Sequence, residues 1–501
     1  MDTIVYFGSR FADLGLDQLH QSRLAEDGSI HYLAGRGKVS GRRRILGFSD
    51  PTRALNYLRQ QPTDALLLDA RGNGLARAAA LLKQLFPHGR MGGPILRQRV
   101  LALVDPGGIE DAFALGHHGI GGVVTAADPE VIGERLDSVL GTRGHGKIAI
   151  CLAGGGIEGL LYEVGVLRAL QSFLPEKAIV DVDFFCGISA GAILGSLLAN
   201  GIGPDETLRS LEGRGHRVKP IGKWDLFEPN VGEIGSRLLR LVGELARGGR
   251  GPRGAMSSLA RAVPNGAFSG RRLGGWLEKQ LTRPGMSNEF DGLRRPLYVG
   301  ATDQDTAQAV LFGDGDQRHV PVHRAVQASC ALVPFYPPVE VDGRWYVDGA
   351  FSRTTNMRVA AQKGATLVIL VDPLVPAIGR KPGYVRQRGG IYATTQGLKS
   401  LINGRFDKAN RAIAEMYPNV AFHLFRPEAD EMRILSGSPM KYFYRPEVEE
   451  IAFEATTRKL REVLPSLGQD FGLHGITMRD PEGRSRSGNG VRRFEASAIG
   501  A

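Results

Sequence analysis

Short apolar runs alternate with amphipathic helical patterns along the first 143 residues. Strands are predicted at residues 3–7, 44–48, 65–69, 100–104 and 122–125, and helices at 52–60, 75–86 and 129–140. Crossover helices between parallel strands produce this alternation. Residues 1–143 are therefore predicted to form a small doubly wound α/β domain.

The alternation returns after residues 141–146, a glycine-rich stretch predicted to be a linker. Strands are predicted at 147–153, 182–186, 297–303, 309–312, 344–347 and 366–371, and helices at 323–331 and 447–463. A second α/β domain is therefore predicted over residues 147–465.

Three stretches of the second half break this pattern. Residues 202–268 scatter apolar side chains among glycines and arginines, which fits a mobile lid, an amphipathic surface that meets lipid, or a plain helical insertion. Residues 381–405 are basic and are predicted to be rich in loops. Residues 466–501 are predicted to be a largely disordered basic tail.

The strand at 182–186 runs into the pentapeptide Gly187-Ile188-Ser189-Ala190-Gly191, and a helix of small residues follows. A Gly-x-Ser-x-Gly turn between a strand and a helix is typical of a nucleophile elbow, which exposes the serine hydroxyl for attack on an acyl carbon. The pentapeptide alone also fits an ordinary turn. Ser189 is therefore a candidate nucleophile whose context must support it.

Two further strand ends carry candidate chemistry. Gly154, Gly155 and Gly156 follow the strand at 147–153, and their unshielded N–H groups suit an oxyanion hole, whereas the lysine and hydroxyl residue of a phosphate-binding loop are missing. Asp348 ends a strand that follows the hairpin signal Asp342-Gly343. This carboxylate is a candidate base for Ser189, and a polar turn is the alternative.

Composition narrows the functional classes. The chain has 501 residues, with 63 basic and 52 acidic side chains and a net charge of +11. Basic clusters at 36–44, 237–253 and 479–493 suit anionic lipid headgroups or plain solvation, and without interleaved aromatic residues no nucleic acid is expected. The three cysteines lack metal-ligand spacing, so we expect buried thiols, no metal and no cofactor.

No apolar run is long enough to span a bilayer, and residues 1–8 lack the pattern of a signal peptide. We therefore predict a cytoplasmic protein with peripheral contact to anionic membrane.

Together the three glycine-containing motifs resemble the signature blocks of patatin-like phospholipases. The resemblance runs from about 147 to 371 and more loosely to 465. It implies a three-layer α/β/α sandwich that hydrolyses phospholipid or other lipid acyl esters with a Ser/Asp dyad and no histidine. By position it assigns Ser189 as nucleophile, Asp348 as general base, Gly154, Gly155 and Gly156 as oxyanion hole, and Gly159, Gly187, Gly191 and Gly349 as supporting motif glycines. The family usually has arginine or lysine where this chain has Glu158.

The first domain resembles a response-regulator receiver, with Asp69 ending its third strand. A phosphorylatable receiver has an acidic pair after its first strand, where this chain has Phe7-Gly8-Ser9-Arg10. The resemblance therefore implies a pseudo-receiver that docks or regulates, with a regulatory protein as its partner and Asp69 as an ordinary strand-end carboxylate.

Two alternatives to the dyad hydrolase stay open. A Ser/Asp/His esterase would need a histidine after Asp348, for which His423 and His474 are the candidates. A non-catalytic lipid-binding or signalling scaffold would place the function in the first domain.

Overall fold

The computed structural model describes residues 2–14, 22–24, 30–32, 43–86, 95, 97–118, 120–125, 129–141, 146–175, 177–246, 264–353, 355–376, 382–417, 420–428 and 446–484. The expectations for the linker at 142–145, for the basic residues at 36–42 and 247–253, and for the tail beyond 484 lie outside these ranges.

The N-terminal domain is a seven-stranded sheet with helices on both faces. Its strands are β1 (Asp2–Phe7), β2 (Ser22–Leu24), β3 (Ile30–Tyr32), β4 (Arg43–Phe48), β5 (Ala65–Asp69), β6 (Val100–Leu103) and β7 (Gly122–Val124). Its helices are α1 (Pro51–Gln60), α2 (Leu75–Leu85), α3 (Ile109–Gly116) and α4 (Pro129–Gly141). The five strands predicted from the sequence are all present.

The strand order is β2-β3-β4-β1-β5-β6-β7, and the strands from β4 to β7 are parallel. Val5 and Phe7 pack with α1 and α2, whereas Ile4 and Tyr6 pack with α4. The domain is therefore doubly wound, as predicted. The short antiparallel hairpin of β2 and β3, in which β3 pairs antiparallel with β4, was not predicted.

The C-terminal part is built on an eight-stranded sheet. Its strands are β8 (Lys147–Leu152), β9 (Phe184–Gly187), β10 (Leu297–Asp303), β11 (Ala309–Phe312), β12 (Val339–Val341), β13 (Arg344–Asp348), β14 (Ala365–Val371) and β15 (Ala421–Phe425). Its helices are α5 (Gly156–Ser172), α6 (Ala190–Ala199), α7 (Pro204–Leu211), α8 (Lys223–Leu226), α9 (Val231–Ala246), α10 (Arg271–Leu281), α11 (Val322–Ser329), α12 (Met357–Gln362), α13 (Gly389–Met416) and α14 (Pro446–Leu473).

This sheet has the order β12-β13-β10-β9-β8-β14-β15, and β11 pairs with β10. On β8, Ile148, Ile150 and Leu152 face α5, α6 and α14, whereas Ala149 and Cys151 face α12 and α13. Helices thus cover both faces, and the predicted α/β/α sandwich is confirmed.

Local sequence explains the turn of the hairpin that carries Asp348. The β12–β13 hairpin turns at Asp342 and Gly343, whose φ angles of 52° and 74° are those of a type I′ turn.

All three cysteines are buried and free, as predicted. Among the described residues, no helix is both long enough and apolar enough to span a bilayer.

Two predictions for the C-terminal region are wrong. Residues 381–405 were expected to be rich in loops, but residues 389–405 belong to the single helix α13, which runs to Met416. Helix α14 continues through Pro465 to Leu473, so residues 466–473 do not belong to a disordered tail. Leu467 and Phe471 are buried beyond that proline, and their packing outweighs the backbone hydrogen bond that proline removes.

The two domains are joined by polar contacts that involve α14. Arg99 of the N-terminal domain forms a buried salt bridge with Asp470 and donates to Gln469 at 2.9 Å. Gln469 in turn donates to Asp64. Asp470 also accepts a hydrogen bond from His423 at 2.7 Å, so these contacts reach the last strand of the large sheet.

Candidate active site

Ser189 lies in the tight turn between β9 and α6. Its backbone angles are φ 55° and ψ −122°, a strained region for a residue with a side chain. Its N–H donates to the hydroxyl of Ser329 at 2.8 Å, and that hydroxyl donates to the carbonyl oxygen of Gly300 at 2.6 Å. The end of α11 and the strand β10 therefore hold this turn.

The motif glycines lie where the backbone approaches its neighbours too closely for a side chain. A Cβ atom at Gly191 would lie 2.5 Å from the carbonyl oxygen of Ala153, and one at Gly187 would lie 2.6 Å from the Cα of Ala192. The pentapeptide therefore forms a sharp elbow that glycine alone permits at these two positions.

Strand register brings Asp348 to Ser189. Gly187 pairs with Val299 on β10, and two residues further along β10 Ala301 pairs with Asp348. Ser189 is likewise two residues beyond Gly187, so the two side chains lie at the same level of the sheet edge.

Asp348 is buried, with 1% of its surface exposed. Its Oδ1 accepts the N–H of Ala350 at 2.8 Å. Desolvation raises the pKa of Asp348 to about 6, although the hydrogen bonds from Ala350 and from the Ser189 hydroxyl oppose the rise. A carboxylate with this pKa is a stronger base than an exposed aspartate and is still ionised at neutral pH.

The glycine loop lies between β8 and α5. Ser189 lies beside it, because a Cβ atom at Gly154 would be 3.1 Å from the Cβ of Ser189. Within the part of the chain that the structure describes, the N–H groups of Gly155 and Gly156 donate to no protein acceptor. Two unpaired donors at the N-terminus of a 17-residue helix suit developing negative charge.

Two more motif glycines support this edge. A Cβ atom at Gly349 would lie 2.3 Å from the carbonyl oxygen of Gly300, and one at Gly159 would lie 3.1 Å from the Cγ of Pro373. Both positions let neighbouring segments pack closely at the sheet edge that carries Ser189 and Asp348.

Ser189, Asp348 and the glycine loop line one cavity of ≈ 70 Å³ whose walls are mostly apolar. Its remaining lining residues come from α5, α6, α8, α10, α13 and the loops after α8, α11 and β14. They include Ile157, Leu160, Ile193, Leu226, Phe227, Leu273, Cys330, Leu332, Tyr336, Leu374, Leu398 and Ile402. An apolar cavity beside a hydroxyl and a carboxylate suits an acyl chain.

The model of the patatin-like phospholipase family matches residues 150–361. This chain contains a patatin-like phospholipase domain. All three motifs and every cavity-lining residue up to Ala350 fall within the matched range, whereas the α13 residues of the cavity lie beyond it.

Two solved structures are similar to the chain in part. VipD from Legionella pneumophila is 14% identical, with 63% of this chain and 66% of that chain covered at a TM-score of 0.31. A chain of the complex of full-length SpcU with full-length ExoU, from the type III secretion system of Pseudomonas aeruginosa, is 16% identical, with 56% and 53% covered at a TM-score of 0.23. The chain thus spans less than two thirds of either. At these TM-scores neither likeness carries an argument.

Neither candidate histidine lines the cavity of the patatin-like domain. His423 bonds to Asp470 at 2.7 Å, and His474 bonds to Thr366 at 2.8 Å. Both histidines are held at the β14–β15 side of the sheet, so the structure brings Ser189 together with Asp348 and with neither histidine.

Sequence reasoning missed two contributors to the patatin-like site. Ser329 was quoted only as part of a supporting motif, and its bond to the N–H of Ser189 spans 140 residues of chain. Lys399 reaches the cavity from α13, a region predicted to be loops. No local sequence pattern signals either contact.

In the N-terminal domain, hydrogen bonds from Tyr6 and Arg71 hold both carboxylate oxygens of Asp69. The Tyr6 hydroxyl donates to it at 2.5 Å, and Arg71 donates to both of its oxygens at 2.8 and 2.7 Å. Burial raises the pKa of Asp69, but these bonds outweigh it and lower the pKa. This arrangement fits an ordinary strand-end carboxylate, and the receiver resemblance and its regulatory partner stay predictions.

Proposed function

We propose that this chain is a serine lipid acyl hydrolase of the phospholipase A or lysophospholipase type. The observation that carries the proposal is the shared apolar cavity that Ser189, the buried carboxyl group of Asp348 and the glycine loop line together. The family match to a patatin-like phospholipase domain supports the same reaction class.

In this mechanism Ser189 is the nucleophile and Asp348 the general base. Ser189 Oγ attacks the acyl carbonyl carbon as Asp348 accepts the hydroxyl proton. The tetrahedral intermediate collapses, the alcohol leaves with the proton from Asp348, and the acyl group stays on Ser189. Water then attacks this ester with Asp348 again as base, which releases the fatty acid and restores Ser189.

The glycine loop stabilises the intermediate. The N–H groups of Gly155 and Gly156, which are unpaired among the described residues, donate to the oxyanion, and Gly154 lets the loop approach Ser189. One such donor is worth about 3 kcal/mol in the transition state. Because these donors are backbone groups, the loop can act with Glu158 in place of a basic residue.

We further propose that α8 and α9 meet a lipid surface. Trp224 is 61% exposed and Leu239 is 76% exposed. Leu226 and Phe227, two and three residues after Trp224, line the cavity. Other exposed apolar residues on α9 are Val231, Ile234, Leu238 and Val242. Exposed Lys223 and Arg240 add charge that attracts anionic headgroups.

Co-sedimentation with vesicles of phosphatidylglycerol and phosphatidylcholine tests this contact. Leu239→Glu is expected to weaken binding to vesicles, and Leu401→Glu, at a 75% exposed residue on α13, is the matched control. Equal binding by both variants would refute the assigned surface.

Hydrolysis of p-nitrophenyl hexanoate tests the reaction itself. Ser189→Ala and Asp348→Asn are each expected to lower kcat/KM at least about a thousandfold. Ser400→Ala, which changes an exposed serine on α13, is the matched control and should retain full activity.

Ester hydrolysis by the Ser189→Ala protein at the wild-type rate would refute the mechanism. If the folded wild type hydrolyses nothing, with or without anionic vesicles, the non-catalytic scaffold becomes the better proposal.

A further inference from the structure

A buried lysine lines the cavity that holds Ser189. Lys399 is 7% exposed and belongs to the face of α13 that closes one side of the cavity. The residues of that face follow the spacing of a helix stripe and are Thr395, Leu398, Lys399 and Ile402. Lysine is rarely buried this deeply without a partner.

A compensating charge lies next to the glycine loop. Glu158 is 3% exposed and lies in the first turn of α5, two residues after Gly156. Burial lowers the pKa of Lys399, and the carboxylate of Glu158 opposes that shift. A buried cation on α13 and a buried anion next to the glycine loop therefore influence each other electrostatically.

The ammonium group of Lys399 can still donate hydrogen bonds to a bound ligand. It carries three donors, yet among the described residues it donates to no protein acceptor. Of the described residues that line the cavity, Lys399 is the one cation. Donors left unpaired in an apolar cavity are costly, and an anionic group on a bound ligand would satisfy them.

We propose that Lys399 determines specificity by binding the phosphate of a glycerophospholipid whose acyl carbonyl lies at Ser189. The carboxylate of Glu158 balances the charge of the ammonium group when no phosphate is bound. This assignment rests on the proposed hydrolase function and adds the substrate class to it.

The test compares two substrates that differ only in the phosphate headgroup. Dihexanoyl phosphatidylglycerol and dihexanoylglycerol carry the same acyl esters, and both are used below their aggregation concentrations. Hexanoate release gives kcat/KM for each, and the ratio of the two values measures recognition of the phosphate group.

Lys399→Met is expected to lower this ratio about 10- to 100-fold, as for the loss of a charge-assisted hydrogen bond. Lys399→Arg should retain most of the preference, because it keeps the positive charge. Glu158→Gln should keep the ratio at or above the wild-type value, because the ammonium group then has no competing anion. Lys408→Met, at an exposed lysine of the same helix, should leave the ratio unchanged.

The double variant Glu158→Gln/Lys399→Met covers a loss of folding in the single variant, because it leaves no unpaired buried charge. It should lose the preference as fully as Lys399→Met. If Lys399→Met and the double variant keep the wild-type ratio while both rates fall together, the pair is purely structural and the assignment is wrong. Failure of the folded wild type to hydrolyse either substrate would overturn the proposed function, and this assignment with it.

Discussion

Hydrolysis is expected to fall below about pH 6, because Asp348 must be ionised to accept the proton of Ser189. Desolvation raises the pKa of Asp348 from 3.8 to about 6, against the hydrogen bonds from Ala350 and Ser189. At about 1.36 kcal/mol per pKa unit, the ionised form is about 3 kcal/mol less favourable than in water. The folded protein therefore holds Asp348 in a site where its ionised form is destabilised, which makes the carboxylate more basic.

The assay is kcat/KM for p-nitrophenyl hexanoate between pH 4 and 9, with released hexanoate quantified by chromatography. A single ionisation near pH 6 leaves about a tenth of the base ionised at pH 5 and about nine tenths at pH 7, so the rate should differ about tenfold. Asp342→Asn, on the exposed turn of the same hairpin, should show the wild-type profile.

The same burial predicts a stability effect of opposite sign. A carboxyl group whose pKa is raised by folding favours the folded state at low pH, and that contribution is lost as the pH rises through about 6. Asp348→Asn should therefore be up to about 3 kcal/mol more stable than wild type at pH 8, and about equally stable near pH 4.

A rate profile with its midpoint near pH 4 would show that Asp348 is not desolvated and would refute this reasoning. A midpoint above pH 7 would mean that another group acts as the base.

Three further variants probe the supports of the site. Ser329→Ala leaves the N–H of Ser189 unpaired, so kcat should fall about 10- to 100-fold in the ester assay, and an unchanged kcat would contradict this role. Glu163→Gln should raise the free energy of unfolding by at least about 1 kcal/mol at pH 8 but not at pH 4, because Glu163 is fully buried, has no hydrogen-bond partner among the described residues, and has a pKa that burial raises. Urea unfolding at the two pH values measures this, and equal gains at both would argue against it. Arg99→Met should lower the free energy of unfolding by about 3–5 kcal/mol, because it leaves the buried carboxylate of Asp470 without its cation, and an unchanged urea midpoint would disprove that.

The strands and the catalytic motifs could be predicted because their signals are local. Buried parallel strands appear as continuous apolar runs, and the elbow, the glycine loop and Asp348 each follow such a run. The glycine loop and the elbow meet at one sheet edge because β8 and β9 pair in parallel, whereas Asp348 reaches that edge at the end of β13, which is antiparallel to β10.

The missed features depend on tertiary packing. Helix α13 contains Gly389, Gly390, Gly397 and Gly404, which lower its intrinsic propensity. Buried Phe406, in the core with α12, and Ile402, in the cavity wall, stabilise it instead. Lys399 could not be assigned from sequence because its position in the site depends on this helix.

The bond from Arg99 to Asp470 has a consequence for the independence of the two domains. Removing the N-terminal domain would strip the cation from a buried carboxylate of α14 and expose the surface around it. A shortened chain that begins at the large sheet would therefore lose activity through instability, whatever the first domain regulates. An exchange of this domain between related chains would give a stable protein only if the chimera keeps both Arg99 and Asp470, or an equivalent pair.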